Sequence, residues 1–123
     1  MSRPIHFELP VDDPARAAAF YEAVFGWEIR RWEGAPYWLV TSGPDSEPGI
    51  NGALGQRSDN FTVPMFVIGV GDLEEAMAAA EKAGATIVVG KTPIPGVGYS
   101  AYFTDPEGNQ IGLFQADESV SAG

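Results

Sequence analysis

One histidine and no cysteine limit the chemistry that this chain of 123 residues can carry out. The histidine is His6, and Glu8 follows two positions later. In a β-strand alternate side chains point to the same side, so His6 and Glu8 would share one surface. A histidine beside a carboxylate suits acid–base chemistry or contact with a ligand. A Ser-His-acid triad is disfavoured, because it would have to use His6 on a strand and no nucleophile elbow accompanies it.

The remaining acidic pairs have a structural explanation. Asp12-Asp13 and Glu74-Glu75 lie where helices are predicted to begin, and carboxylates at a helix start complement the helix dipole. The glycines of 69–71 lack the spacing of a phosphate-binding loop. No second catalytic constellation is therefore predicted.

The element that positions His6 and Glu8 is a strand followed by a capped helix. Phe7, Leu9 and Val11 alternate with His6, Glu8 and Pro10, which predicts a strand with one apolar side. Asp13 can cap a helix that begins at Pro14 and ends at Gly26. One apolar stripe is predicted along this helix, consisting of Ala17, Phe20, Tyr21, Val24 and Phe25.

The same unit returns in the second half of the chain. Phe66, Ile68 and Val70 repeat the one-sided spacing, Asp72 takes the place of Asp13, and Gly84 ends the second helix. Two copies of one strand-helix unit predict a paired architecture.

Further strands are predicted from β-branched and aromatic content, at 27–32, 37–41, 50–56, 86–89, 99–104 and 110–115. Residues 33–36 and 105–109 are predicted turns, and the second joins a hairpin. Residues 42–49 and 91–98 are predicted loops rich in Pro and Gly, and the tail 116–123 is expected to be flexible.

Composition excludes several classes of partner. Seventeen acidic and seven basic residues give a formal net charge of −10, so nucleic acid and anionic membranes are poor partners. No apolar run is long enough to cross a bilayer, and residues 1–4 cannot serve as a signal peptide. A cytoplasmic protein is therefore expected, and its lack of cysteine is compatible with that compartment.

Three stretches together resemble the glyoxalase/bleomycin resistance/extradiol dioxygenase group, the vicinal oxygen chelate superfamily. They are HFELPVDDPARAAAFYEAVFGW, DLEEAMAAAEKAGA and DPEGNQIGLF, in that order. The resemblance implies an α+β fold in which two βαβββ modules form a curled mixed sheet around a cleft, with helices outside. The modules would span about 4–56 and 62–115 of a single domain covering 1–123. The resemblance also implies a homodimer, and leaves open whether the cleft closes within one chain or across two.

Members of this group usually hold one divalent metal ion with His, Gln or Glu side chains. The matching positions here are His6, Asn51, Met65 and Gly112, and a shift of one residue would select Gly52 in place of Asn51. Only His6 is a strong ligand, because a thioether suits divalent ions poorly and glycine has no side chain. We therefore expect no metal cofactor. A metal site rebuilt from Glu8 with Asp45 or Glu47 remains the alternative.

The expected function is the binding of a small molecule in the cleft. An apolar or aromatic ligand is favoured by the many aromatic residues near the cleft-forming strands, and the acidic chain would attract a cationic one. A metal-dependent lyase, isomerase or dioxygenase, a metal-free catalyst with His6 or Glu8 as base, and an interaction module stay open as alternatives. The predicted ligand-binding residues are His6, Glu8, Trp38, Asn51, Met65, Val67, Tyr102, Gly112 and Phe114.

Overall fold

The structure, a computed structural model, describes residues 2–33 and 36–121. The chain divides into two compact units. The N-terminal unit comprises Ile5–Pro64, and the C-terminal unit comprises Met65–Gly123 together with Met1–Pro4. Each unit has one helix and four strands among the described residues, which confirms the predicted α+β fold with two βαβββ modules.

The N-terminal unit contains β1 (Arg3–Val11) from Ile5 onwards, followed by α1 (Pro14–Phe25), β2 (Glu28–Trp32), β3 (Tyr37–Thr41) and β4 (Asn51–Gln56). Its strands lie in the order β2-β3-β4-β1. β1 and β4 are parallel, whereas β3 is antiparallel to both β2 and β4. The first strand of the unit therefore pairs with its last. Gly34 and Ala35 of the predicted turn lie outside the described residues.

The C-terminal unit repeats this topology. It consists of β5 (Met65–Gly69), α2 (Leu73–Lys82), β6 (Thr86–Ile94), β7 (Gly98–Thr104) and β8 (Gln110–Ala116). Its strand order is β6-β7-β8-β5, with β5 parallel to β8 and the rest antiparallel. The predicted hairpin of the last two strands is confirmed.

Both helices begin as the sequence predicts. The Asp13 carboxylate accepts a hydrogen bond from the Arg16 backbone N–H at 3.1 Å, and the Asp72 carboxylate accepts one from the Glu75 N–H at 3.0 Å. These contacts satisfy backbone donors that have no partner within the helix. Gly26 ends α1 with a left-handed φ of 72°, a conformation that glycine adopts without steric cost.

The core of the N-terminal unit lies between its sheet and α1. Val11, Val40 and Leu54 are buried there, and Phe7 and Leu9 pack against them. The predicted apolar side of β1 is thereby confirmed. The stripe of α1 is only partly buried, because Phe20, Val24 and Phe25 are 55%, 54% and 60% exposed.

The core of the C-terminal unit has the same plan. Leu73, Ala101 and Leu113 are buried between its sheet and α2, with Ile68 and Val70 packed against them. Phe66 departs from the prediction, since it is 41% exposed although its spacing matches that of Ile68 and Val70.

Strand β6 is longer than the sequence predicted, and the loop expected at 91–98 is correspondingly shorter. The strand continues through Thr92 and Pro93 to Ile94, with register shifts on either side of Val89. β6 is at the edge of the four strands of its unit, where a proline removes no hydrogen bond from the ladder. The irregular register allows the strand to pass through a Pro- and Gly-containing segment that is unsuited to regular pairing.

The described part of the tail makes contacts that the sequence did not indicate. Val120 is buried, and its carbonyl accepts a hydrogen bond from the Gly96 N–H at 2.9 Å. The Asp117 N–H donates to the Val97 carbonyl at 2.9 Å. These contacts hold the tail on the turn between β6 and β7, so its described part is anchored by backbone bonds. Residues 122–123 lie outside the described residues.

Neither helix in the described part of the chain has the length and apolar content needed to cross a bilayer.

Replacing Gly52 by alanine tests the close packing of β1 on β4. A Cβ at position 52 would lie 2.4 Å from the Phe7 carbonyl oxygen and 2.5 Å from the Phe7 ring. We expect Gly52→Ala to lower the free energy of unfolding by about 1–3 kcal/mol, the usual cost of overpacking, as measured by urea denaturation. Gly90→Ala is the matched control, because nothing lies within 4 Å of the added atom. Equal stability of the two variants would contradict this packing.

Candidate functional site

The sheet of the N-terminal unit has one face that α1 does not cover, called here the N-terminal helix-free face. The strand register places His6 beside Asn51 and Glu8 beside Ala53 on this face. Leu39 also pairs with Ala53, so Tyr37, two residues before it, lies on the same side. This confirms that His6 and Glu8 share a surface, and it adds Tyr37 to them.

A chain of hydrogen bonds links three side chains of this face. The Tyr37 hydroxyl donates to Glu8 Oε2 at 2.6 Å, and His6 Nε2 lies 2.9 Å from the same Tyr37 oxygen. His6 Nε2 and Glu8 Oε2 are 4.0 Å apart. Tyr37 reaches Glu8 diagonally across β4, where Gly55 is paired with Tyr37 and the small Ala53 is paired with Glu8. We call this group the His6–Tyr37–Glu8 chain.

The electrostatics of this chain depend on burial. Glu8 is only 5% exposed, and a carboxylate removed from water needs hydrogen-bond donors. Tyr37 supplies one such donor. Burial lowers the pKa of His6, and the negative charge of Glu8 opposes that effect without overcoming it. His6 is therefore neutral at pH 7.

Asn51 has a structural role at the start of β4. Its side-chain oxygen accepts hydrogen bonds from the Ser42 backbone N–H at 2.9 Å and from the Ser42 hydroxyl at 3.3 Å. The Ser42 hydroxyl also lies 2.6 Å from the Ile50 carbonyl. Asn51 thus fastens the ends of the loop between β3 and β4. The oxygen that the resemblance implied as a metal ligand is already engaged.

Trp38 lies on the opposite face from the His6–Tyr37–Glu8 chain. It pairs with Leu54 and packs on the helix-covered core with Val11 and Val40. The structure therefore does not bring Trp38 to the predicted binding surface. Its neighbour Tyr37 takes that position; the alternation of β3 separates the two residues, and only the pairing with β4 shows which of them faces the helix.

The C-terminal sheet has a corresponding helix-free face. Val67, Gly112 and Tyr102 form one row across β5, β8 and β7. The alternation of the strands adds Met65 and Phe114. The structure thus places these five predicted residues on one face, and both Met65 and Val67 are buried.

Gly112 has no side chain, yet it leaves no open space beside it. A Cβ at this position would lie 2.9 Å from Val67 Cγ2 and 3.1 Å from Tyr102 Cε1. The neighbouring side chains therefore occupy the space beside the glycine. A longer side chain at position 112 would require both of them to move.

The donors at the four positions implied by the resemblance do not fit a divalent ion. Asn51 is bonded to Ser42, Met65 offers a thioether, and Gly112 offers no side chain. Within residues 2–33 and 36–121, no group of three or more His, Asp or Glu side chains is arranged to hold a metal. His6 and Asn51 belong to one unit, Met65 and Gly112 to the other. Their convergence on one cleft stays a prediction.

A separate groove of about 470 Å³ lies where α1 begins, with Phe20 and Tyr21 in its wall. Arg57 borders it and binds the Asp12 carboxylate at 3.2 Å and the Pro10 carbonyl at 3.2 Å. The groove contains none of the predicted ligand-binding residues.

Comparison with known proteins agrees with this fold. The sequence profile of the Glyoxalase/Bleomycin resistance protein/Dioxygenase superfamily matches residues 3–113. A search of curated protein sequences gives no significant match.

Several solved structures are similar in fold. Methylmalonyl-CoA epimerase from Mycobacterium tuberculosis has a TM-score of 0.69 and 14% identity, over 93% of this chain and 87% of that one. A glyoxalase/bleomycin resistance protein/dioxygenase superfamily member from Vibrio splendidus 12B01 has a TM-score of 0.66 and 17% identity, over 95% and 100%. The Mn(II)-bound glyoxalase from Novosphingobium aromaticivorans has a TM-score of 0.62 and 19% identity, over 99% and 42%. At these identities the similarity establishes the fold.

The pKa of His6 can be measured directly by NMR, because it is the only histidine of the chain. We expect a titration midpoint below the ordinary value of about 6.5, since burial disfavours the charged ring. Glu8→Gln should lower it further, because it removes the charge that raises this pKa. Glu74→Gln, at an exposed residue of α2, is the control and should leave it unchanged. A midpoint that rises in Glu8→Gln would disprove this electrostatic account.

The same pKa shift makes stability depend on pH. The unfolded chain has the higher histidine pKa and takes up the proton first as the pH falls, so His6 destabilises the fold below about pH 6.5. Above that pH this effect is absent. Unfolding by urea between pH 7.5 and 5 should therefore show a steeper loss of stability for the wild type than for His6→Gln. Parallel curves would show that His6 does not contribute.

Proposed function

The chain belongs to the Glyoxalase/Bleomycin resistance protein/Dioxygenase superfamily, and we propose that it binds a small apolar or aromatic molecule without using a metal ion. The observation that carries this proposal is the His6–Tyr37–Glu8 chain. The one strong ligand among the implied metal positions is hydrogen-bonded through Nε2 to Tyr37, and the other three positions lack suitable free donors. A buried polar group beside apolar side chains such as Leu39 suits ligand orientation.

The residues around the His6–Tyr37–Glu8 chain favour an aromatic ligand. Trp32 pairs with Tyr37 at the edge of the same face, and their ring centroids are 6.5 Å apart in an edge-on arrangement. Leu39 and Ala53 lie in one row with Glu8, and the partly exposed Leu39 adds apolar surface to this face. Flat rings bind to such surfaces through stacking and apolar burial. The net charge of −10 additionally favours a cationic ligand over an anionic one.

A metal-dependent lyase, isomerase or dioxygenase is the second candidate. It is supported by the fold that this chain shares with a Mn(II)-bound glyoxalase. Within this chain, His6 Nε2, Tyr37 Oη and Glu8 Oε2 lie within 4.0 Å of one another, and all three atom types can ligate metals. Binding an ion there would require Tyr37 to give up its hydrogen bonds.

Metal analysis and thermal unfolding distinguish the two candidates. We expect the purified protein to retain no stoichiometric divalent ion at pH 7 and its melting temperature to be unchanged by EDTA. A panel of aromatic fragments should contain compounds that raise the melting temperature, because a ligand at about 100 times its Kd stabilises by about 2.7 kcal/mol.

Variants show whether such a ligand uses the proposed surface. Tyr37→Phe should reduce the ligand-induced shift, whereas Tyr99→Phe, which makes the same change on the helix-covered core of the C-terminal unit, should not. Stoichiometric metal that is lost in His6→Ala would favour the enzyme instead. A protein whose melting temperature responds neither to metal nor to any fragment would favour an interaction module.

We also infer a homodimer and a cytoplasmic location. Phe20, Val24 and Phe25 form an exposed apolar surface on α1, and such patches commonly become covered in assemblies. The acidic, cysteine-free composition is compatible with the cytoplasm.

Sedimentation velocity tests the dimer. We expect the wild type to sediment as a dimer, and Phe20→Glu combined with Phe25→Glu to shift it towards the monomer by charging the exposed surface of α1. Ala19→Glu, at an exposed position on the other side of the helix, is the control and should remain dimeric. A monomeric wild type would contradict the dimer, and a dimeric double variant would exclude this surface.

A further inference from the structure

The hydrogen bonds of the His6–Tyr37–Glu8 chain have a direction. A tyrosine hydroxyl carries one proton, and here that proton goes to Glu8 Oε2 at 2.6 Å, a short distance typical of a bond to a carboxylate. The Tyr37 oxygen must then act as acceptor towards His6 Nε2, which is 2.9 Å away. Nε2 therefore carries the proton of the neutral imidazole ring.

The other ring nitrogen follows from this assignment. A neutral imidazole has one N–H donor and one acceptor nitrogen, so Nδ1 carries the lone pair. No hydrogen bond to Nδ1 occurs within residues 2–33 and 36–121. The His6 side chain is 27% exposed, so the ring keeps some access to solvent and to a ligand.

We propose that Tyr37 is a positioning residue that holds neutral His6 in the Nε2–H form, so that the ligand must bring an N–H or O–H donor to Nδ1. This inference rests on the proposed function for its ligand. It specifies that function further, by defining the class as aromatic or apolar molecules with a hydrogen-bond donor. Molecules that offer only acceptors would place a lone pair against the lone pair of Nδ1.

Glu8 keeps the Tyr37 hydroxyl in the orientation that donates to the carboxylate. Its buried carboxylate oxygen can only accept, which keeps the Tyr37 proton on that side. The reverse orientation, with Tyr37 donating to Nε2, would remove this donor from a charge that is almost excluded from water. Through Tyr37, the buried charge of Glu8 thus determines that Nδ1 of His6 is a hydrogen-bond acceptor, although Glu8 does not contact Nδ1.

The protonation pattern of His6 can be read in the free protein. In ¹⁵N-detected spectra at pH 8, the two nitrogens of the single histidine should appear as one protonated Nε2 and one unprotonated Nδ1. Tyr37→Phe should introduce a population with the proton on Nδ1, because the oxygen that accepts the hydrogen bond from Nε2–H is then absent. Tyr99→Phe should leave the spectrum unchanged. A wild type with the proton mainly on Nδ1 would overturn the proposal.

The ligand class is tested with matched probes. Indole and 1-methylindole, and phenol and anisole, differ in whether they offer a donor. In binding titrations at pH 8 the donor compounds should bind roughly threefold to tenfold more tightly, which corresponds to one hydrogen bond, and should shift the Nδ1 resonance. In Tyr37→Phe this preference should shrink.

The outcomes separate the two proposals. Equal binding of a donor compound and its methylated partner would overturn the donor requirement while leaving the binding function intact. If no probe binds while the free protein shows the expected Nε2–H ring, binding of aromatic donors fails and the positioning role of Tyr37 stands.

Discussion

The buried carboxylate of Glu8 is the constraint on which the N-terminal unit depends. A charge that is 5% exposed is stable only when donors surround it, and Tyr37 is one of them. Tyr37 can serve because β3 and β1 lie on either side of β4, where the residue paired with Tyr37 is Gly55 and the residue paired with Glu8 is the small Ala53. The strand order is thus a requirement of the site as well as of the core.

On the helix-covered side of β4, Gly52 allows β1 to pack closely against this strand. Gly52 pairs with Phe7, and the absence of a side chain lets the Phe7 ring lie directly on β4. Phe7 in turn contacts Trp27 at 5.4 Å between ring centroids. Glycine ordinarily weakens a strand, and here aromatic packing offsets that effect. Because Phe7 lies between His6 and Glu8 in the strand, its fixed position also fixes the direction of both.

Local features of the fold could be predicted from the sequence, and features that depend on strand register could not. Asp13, Asp72 and Gly26 act within a few residues of themselves, so their roles as caps follow from spacing alone. The choice between Trp38 and Tyr37 depends on which face of β3 meets the helix, and that is decided by pairing with β4, many residues away. Both residues are aromatic and adjacent, so composition favoured neither.

The extent to which the apolar stripe of α1 is buried also could not be predicted from the sequence. Spacing shows that Phe20 and Phe25 lie on the same side as Tyr21, but it does not show how wide the covering sheet is. In the structure Tyr21 stacks on Trp27 at 5.0 Å between centroids, whereas Phe20 and Phe25 remain more than half exposed. The apolar side of a helix can therefore be wider than the part that its own unit buries.

The two units also show how one topology can carry different chemistry. Counted back from the capping aspartates Asp13 and Asp72, His6 corresponds to Met65 and Glu8 to Val67. The same strand positions therefore present a hydrogen-bonding pair in one unit and buried apolar side chains in the other. A repeated fold fixes where side chains point and leaves their polarity free. The direction of the hydrogen bonds among His6, Tyr37 and Glu8 is therefore a property of the N-terminal unit that the repeated topology alone does not supply.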